Sequence, residues 1–204
     1  MSIAFAKQPG PALALLDIRD VPVGLRALDA LAKEAPIEVL AAGTVQNGAY
    51  LILFGGDVEP VERSFLRAIE VAGGSVADRV LLAHAEERIV PAIVSQVIRW
   101  PAPGDTAGIV QTGSPPTLLR AVDSALKGAQ VDLVELRIAD GLAGKAIATL
   151  WGETHDVEAA LSLANQAIAR GVVDGSSTTI IPNADAELVR AIHTGTRFFR
   201  EWRG

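Results

Sequence analysis

The sequence predicts an α+β chain built from two consecutive domains of one fold, each a βαββαβ ferredoxin-like sheet with helices. Three observations carry this reading: the 204 residues repeat themselves at about half their length, strand and helix signals come in the same order in both halves, and a proline-rich break falls near the midpoint. With a shift of 94 residues, Leu25-Arg26-Ala27 falls on Leu119-Arg120-Ala121, Asp29 on Asp123, Lys33 on Lys127, Ala35 on Ala129 and Pro22 on Pro116. Further on the shift becomes 96, with Gly56-Asp57 on Gly152-Glu153 and Val61-Glu62 on Val157-Glu158, so the second copy has gained two residues in between. Self-similarity at a fixed period means that one structural unit is used repeatedly.

The elements follow in order. An apolar run over Ala12 to Ile18 reads as a strand, and Val23 to Ala35 reads as a helix with Leu25, Leu28, Ala32 and Ala35 on one face. In the second copy Leu118, Val122, Ala125 and Ala129 make the same stripe. That helix is opened by Ser114-Pro115, a cap residue followed by a proline whose missing N–H costs nothing at a helix start. Next come two runs rich in β-formers, Ile37 to Val45 and Ala49 to Phe54, separated by Gln46-Asn47-Gly48, which is a hairpin signal. Their counterparts, Val131 to Ile138 and Ala146 to Trp151, are joined by the longer Ala139 to Lys145, where the extra residues are expected to sit. After each hairpin a Gly-acidic pair starts a second helix. Its apolar stripe is Val58, Val61, Phe65, Ile69 and Ala72 in the first copy and Val157, Leu161, Ala164 and Ile168 in the second. A fourth strand is expected near Val76 to Ala83 and near Thr178 to Ile181, followed by a short helix. Trp100-Pro101-Ala102-Pro103-Gly104-Asp105 supports neither helix nor strand. The domains are therefore read as 1–99 and 106–204, the second with a C-terminal tail, and 100–105 as a short stiff linker.

Composition narrows the function classes. Half the residues are hydrophobic and the mean hydropathy is +0.32, which points to a large core or to extensive contacts between subunits. No apolar run approaches the roughly 20 residues of a membrane span, and MSIAFAKQPG lacks the features of a secretory leader, so a soluble, cytoplasmic protein without a membrane partner is expected. The absence of cysteine excludes disulfides, thiol nucleophiles and Cys-held metal centres. A net charge of -6 with both signs interspersed offers no basic stripe, so no nucleic-acid partner is expected. His84, His155 and His193 have no spacing that suggests a metal site. No Ser-His-Asp order, phosphate-binding loop or dinucleotide fingerprint is present, and Gly55-Gly56 and Gly73-Gly74 fall where caps and turns use glycine. No metal, cofactor or catalytic residue is therefore expected.

Both copies resemble the bacterial microcompartment shell domain over roughly residues 11 to 95 and 106 to 193. The likeness rests on a strand, a helix carrying Asp-x-x-x-Lys-x-Ala, a hairpin with a glycine-containing loop, and a Gly-acidic helix start. The helix motif is Asp29-Ala30-Leu31-Ala32-Lys33-Glu34-Ala35 in the first copy and Asp123-Ser124-Ala125-Leu126-Lys127-Gly128-Ala129 in the second. The resemblance implies the tandem type, whose trimers imitate a hexamer. Because each copy begins with the strand before the Lys-bearing helix, it also implies the unpermuted, single-layer class. Three chains of two domains make six wedges around one axis, and closed cyclic symmetry buries apolar surface. The partners implied are further copies of the chain, other hexameric and pentameric shell proteins, encapsulated enzymes and small metabolites crossing the pore. The place implied is the microcompartment shell in the bacterial cytoplasm. Some unpermuted members carry an iron–sulfur cluster at the pore; without cysteine, none is expected here.

The same resemblance implies site residues. Lys33 and Lys127 match the family's edge lysine, which reaches backbone carbonyls of the next tile; by itself, a lysine on an amphipathic helix is a solvated charge. The family's Arg-bearing turn after the fourth strand is replaced by Leu82-Ala83-His84-Ala85 and Ile181-Pro182-Asn183-Ala184, which puts His84 and Asn183 at that edge. The pore residues implied are Gln46, Asn47 and Gly48 from one copy and Ala139, Asp140, Gly141, Leu142, Ala143 and Gly144 from the other. Asn-Gly and Asp-Gly are also ordinary turn chemistry. Glycines at the axis let backbone amides face the opening and pass small polar or anionic metabolites. Asp140 pointing inward instead sets three negative charges in the ring, and Lys145 either offsets them or simply begins the next strand. The tail Arg197-Phe198-Phe199-Arg200-Glu201-Trp202-Arg203 is read as packing on its own domain or as a hook for a subunit or cargo. Against the shell tile stand a soluble trimer binding effectors between subunits and, more weakly, an enzyme of the same architecture.

Overall fold

The computed structural model describes residues 8–95, 104–138 and 141–193. The first copy runs β1 (Ala12–Ile18), α1 (Val21–Glu34), β2 (Glu38–Thr44), β3 (Tyr50–Gly56), α2 (Val58–Ala72), a 3-10 turn over Gly73–Ser75, β4 (Val76–Leu82) and α3 (Ile89–Ser95). The second runs β5 (Thr106–Thr112), α4 (Pro115–Gly128), β6 (Asp132–Ile138), β7 (Ala146–Gly152), α5 (Thr154–Ile168), β8 (Ser177–Ile181) and α6 (Ala186–His193). The expected α+β repeat is thus what the chain adopts, element for element. The linker positions 100–103 and the tail from 194 onward lie outside the described residues.

Each copy forms one four-stranded antiparallel sheet, in the orders β2-β3-β1-β4 and β6-β7-β5-β8. Even the irregularities repeat. The hairpin ladders shift register between Val39 and Ala41 and again between Leu133 and Glu135, the same place in both copies. Both first helices are opened by a side-chain cap, with Asp20 accepting from the Val23 amide and Ser114 from the Thr117 amide, and with proline in the first turn. Gly73 ends α2 at φ 51°, a left-handed conformation that glycine adopts without a Cβ penalty.

The inner face of the first sheet (Ala12, Ala14, Leu16, Ile18) packs with Phe54, Val61, Phe65 and Ala68 beneath α1 and α2. Its outer face belongs to a different core. Leu13, Leu15, Val80 and Leu82 join Leu118, Leu119, Val122 and Leu126 of the second copy, so α4 seats on the first copy's sheet and the two domains share one continuous apolar cluster. α6 closes a small cluster of its own over Ala107, Val134 and Trp151.

The helical periodicity of α1 leaves its buried face open. The stripe Leu25, Leu28, Ala32 and Ala35 does form one face of the helix, but it is not the face that α1 buries: Gly24, Ala27 and Leu31 are buried and Leu25 is 51% exposed. Gly24 is needed there because the Tyr50 side chain lies where a Cβ would be. The physical reason is that α1 carries two apolar stripes. Helical periodicity identifies both and cannot say which one faces its own sheet. At the equivalent position of α4, Leu119 is 0% exposed because both stripes are covered, one by its own domain and one by the other copy.

Candidate functional site

The loop between β2 and β3 is a tight turn: Val45 and Ala49 pair N to O at 3.0 Å, the Gly48 amide donates to Val45 O at 2.9 Å, and Asn47 Oδ1 accepts from the Ala49 amide at 3.2 Å. Gly48 has φ 81°, and Gln46, Asn47 and Gly48 are all exposed. The loop before β7 turns through Leu142 O and the Lys145 amide at 3.0 Å, with Gly141, Ala143 and Gly144 all at positive φ. Lys145 directly precedes β7. Ala139 and Asp140 lie outside the described residues. The structure brings the two loops side by side, because the Asn47 side chain occupies the space that a Cβ on Gly144 would need.

These glycines should therefore respond unequally to substitution. Gly48→Ala meets open space and is expected to cost about 1 kcal/mol of backbone strain. Gly144→Val adds a collision with Asn47 and is expected to lower the melting temperature several-fold more. Equal shifts in thermal melts of the two variants would mean that the loops do not touch.

The expected edge residues divide into two settings. Lys33 on α1 is 73% exposed and pairs with Asp29, at 2.7 Å. Lys127 on α4 pairs with Asp123 at 2.7 Å and also donates to the backbone oxygen of His84, so this lysine and the turn after β4 meet at the seam between the two domains of one chain. Asp123 in addition accepts from the Glu86 amide at 2.9 Å. His84 and Asn183 are exposed, Asn183 at φ 51°.

Sequence reasoning passed over the arginine that closes this seam. Arg88, held by Glu86 at 2.7 Å, donates to Val131 O at 2.9 Å and Leu126 O at 3.4 Å. It thus bonds one carbonyl in the last turn of α4, where a helix leaves acceptors unpaired and favours a cation, and one directly before β6. The signal was available, since Arg88 is the first arginine after β4 and lies four residues beyond His84.

At the other end of the seam, Asp17 and Asp78 stand opposite each other in the β1–β4 ladder. Asp78 accepts from Ser114 Oγ and, at 2.7 Å, from Thr117 Oγ1. With Arg19, Asn47, Gly113 and Val172, these carboxylates line a cavity of about 360 Å³. Asp17 is 5% exposed, and its Oδ1 is buried without a hydrogen-bond partner. Burial, reinforced by the Asp78 charge and opposed by Arg19, raises its pKa from 3.8 to about 6. A carboxyl whose folded pKa is raised binds more protons in the folded state. Its stabilising contribution is therefore complete below pH 4 and is lost as pH rises through 6. Asp17→Asn is accordingly expected to leave stability near pH 4 almost unchanged and to gain up to about 3 kcal/mol at pH 8. Denaturant unfolding at the two pH values checks this, and parallel pH profiles for variant and wild type would refute it.

The remaining histidines lie apart from these sites. His155 is exposed beside Glu153 (3.6 Å) and Asp156 (3.4 Å), and the His193 side chain lies outside the described residues. Among the described residues no three His, Cys, Asp or Glu side chains are placed to share a metal ion, and no helix is long and apolar enough to cross a membrane.

Comparison with known proteins adds independent findings. The BMC domain model matches the chain twice, over residues 12–85 and 106–184. The bacterial microcompartment shell protein PduT of Citrobacter freundii is 30% identical over 157 residues, covering 76% of this chain and 83% of that protein. A microcompartment protein from Desulfitobacterium hafniense DCB superposes with a TM-score of 0.73 at 30% identity, covering 88% of this chain and 98% of the other. The fused permuted hexameric shell protein of the RMM microcompartment has the same fold, with a TM-score of 0.61 at 17% identity over 78% of this chain and 84% of its own.

Proposed function

We propose, for a chain that belongs to the bacterial microcompartment (BMC) domain family, that it is a structural shell protein in which three copies close into a pseudohexameric tile with a central pore. The observation that carries this reading is the shared core: the second domain's α4 is seated on the first domain's sheet, while on the equivalent faces Leu25 and Ala32 of α1 and Thr179 of β8 are exposed and Ile109 is half-buried. Repeating one such joint generates a ring. The adjoining Asn47 and Gly144 loops then line the axis, with Gln46, Gly48, Gly141, Leu142 and Ala143 beside them. The choice between an amide-lined and an acidic ring rests on Asp140, which with Ala139 lies outside the described residues.

Lys33 and Lys127 occupy the tile edge with Asn183 and His84, and each ammonium retains at least one donor for a neighbouring tile. The work of the protein is assembly and size-selective passage of small polar metabolites, in keeping with relatives that are shell proteins. Its place is the microcompartment shell, beside other shell proteins and the enzymes enclosed. Electron microscopy of the purified chain together with its solution mass tests this. The expected result is a particle of three times 21.3 kDa that looks hexagonal and tiles into sheets or tubes. A discrete particle that never tiles on concentration would favour a soluble trimer with ligands between its subunits.

A further inference from the structure

The seam inside the chain has a counterpart that a single chain leaves open. Leu15 and Val80 are buried beneath α4; the residues at the same ladder positions in the second sheet are Ile109, which is half-buried, and Thr179, which is exposed, while the neighbouring pair Ala107 and Ile181 packs on the α6 cluster. On the helix side, Leu119, Val122 and Leu126 of α4 are buried, and their equivalents Leu25, Leu28 and Ala32 of α1 are half-buried or exposed. The strand β6 is covered, with α3 against it, whereas its equivalent β2 leaves Ala41 and Ala42 in solvent. The occupant that fits each open half is the other half, supplied by a second copy of this chain.

The polar centre of the two joints differs in a specific way. Inside the chain, Ser114 at the N-cap of α4 donates to Asp78, the residue opposite Asp17 in the ladder. In the open joint the N-cap of α1 is Asp20, and the residue opposite Gln111, the equivalent of Asp17, is Ser177. Hydroxyl and carboxylate have changed sides. Asp20 and Ser177 are both exposed, and Asp20 uses Oδ1 for the Val23 amide at 2.9 Å, which leaves its second oxygen for an incoming donor.

We infer that the seam between chains is closed by Ser177 of one copy donating to Asp20 of the next, with polarity opposite to that of the Ser114–Asp78 bond, and that this reversal admits only strict alternation of the two domains around the ring. A misordered joint that set α1 on the first domain of another copy would bring Asp20 against Asp78, two carboxylates in a closed seam beside Asp17. The inference rests on the three-chain ring.

Ser177→Asp, on an exposed edge strand, is expected to reduce the particle from three times the chain mass to one in light scattering, with the circular dichroism spectrum unchanged. Adding Asp20→Ser, which keeps a cap of the kind α4 uses, is expected to restore the threefold mass. Asp20→Ser alone sets two hydroxyls in the seam and is expected to raise the concentration needed for assembly roughly tenfold. A threefold mass for Ser177→Asp, failure of the double variant to restore it, or unchanged assembly of Asp20→Ser would each overturn the pairing and leave the ring standing. A wild-type chain that stays at 21.3 kDa at every concentration would overturn the ring itself.

Discussion

Leu119→Ala is expected to destabilise the fold by about 2–5 kcal/mol, and Leu25→Ala, the same change at the same helix position of the other copy, to alter the unfolding of a single chain by no more than about 0.5 kcal/mol. Leu119 is fully enclosed between α4 and the first copy's outer sheet face, so truncation removes buried methyl groups and leaves a cavity in a core that two domains share. Leu25 has half its surface in water, and truncating it sacrifices little within one chain. Denaturant unfolding at concentrations below assembly separates the two. Leu25→Ala should declare itself in association instead, as a weaker ring. Comparable losses in the two variants within a single chain would mean that α1 is packed in a way the structure does not show.

This contrast also marks how far the sequence could be read. The repeat put Leu25 and Leu119 in register, and the strands, helices, caps and hairpins followed from periodicity and turn chemistry, because those are local properties of the chain. The two residues gained by the second hairpin loop were legible for the same reason. Three further residues in the second copy, between α5 and β8, went unnoticed, since the polar and glycine-rich 169–176 carries no periodic signal to align.

What was not legible was the partner of each surface. Leu25 and Leu119 have nearly the same local sequence, and their different burial comes from a sheet roughly forty to a hundred residues away in the chain, or in another chain. The same holds for the candidate site. Asn47 and Gly144 lie side by side in one chain, and their place at an axis belongs to the proposed ring. Arg88 and Asp17 were not singled out, because an arginine after a strand and an acid ending one acquire meaning only when the other domain arrives opposite them. Glu135 and Arg137, buried in β6 between apolar residues, belong to this class as well.

Lys33→Ala combined with Lys127→Ala is expected to leave the ring closed and to abolish its lateral tiling. An ammonium has three donors. Lys33 spends one on Asp29, and Lys127 spends two, on Asp123 and on His84 O, so both keep at least one free at an exposed position. An isolated exposed contact of this kind is worth at most about 1 kcal/mol, too little to join two tiles. A ring of three chains carries two such lysines per chain, however, and contacts repeated along every edge act together, so removing all of them costs far more than removing one. The seam should survive, because Leu119, Arg88 and the Arg120 contact to Arg79 O at 2.7 Å remain in place when Lys127 loses its bond to His84. The single variants divide the effect. Lys33→Ala should weaken tiling without touching the seam inside the chain, whereas Lys127→Ala should do so with a small loss of stability. Sheets that form unchanged from the double variant would remove the lysines from the edge, and a loss of the ring would place them in the seams instead.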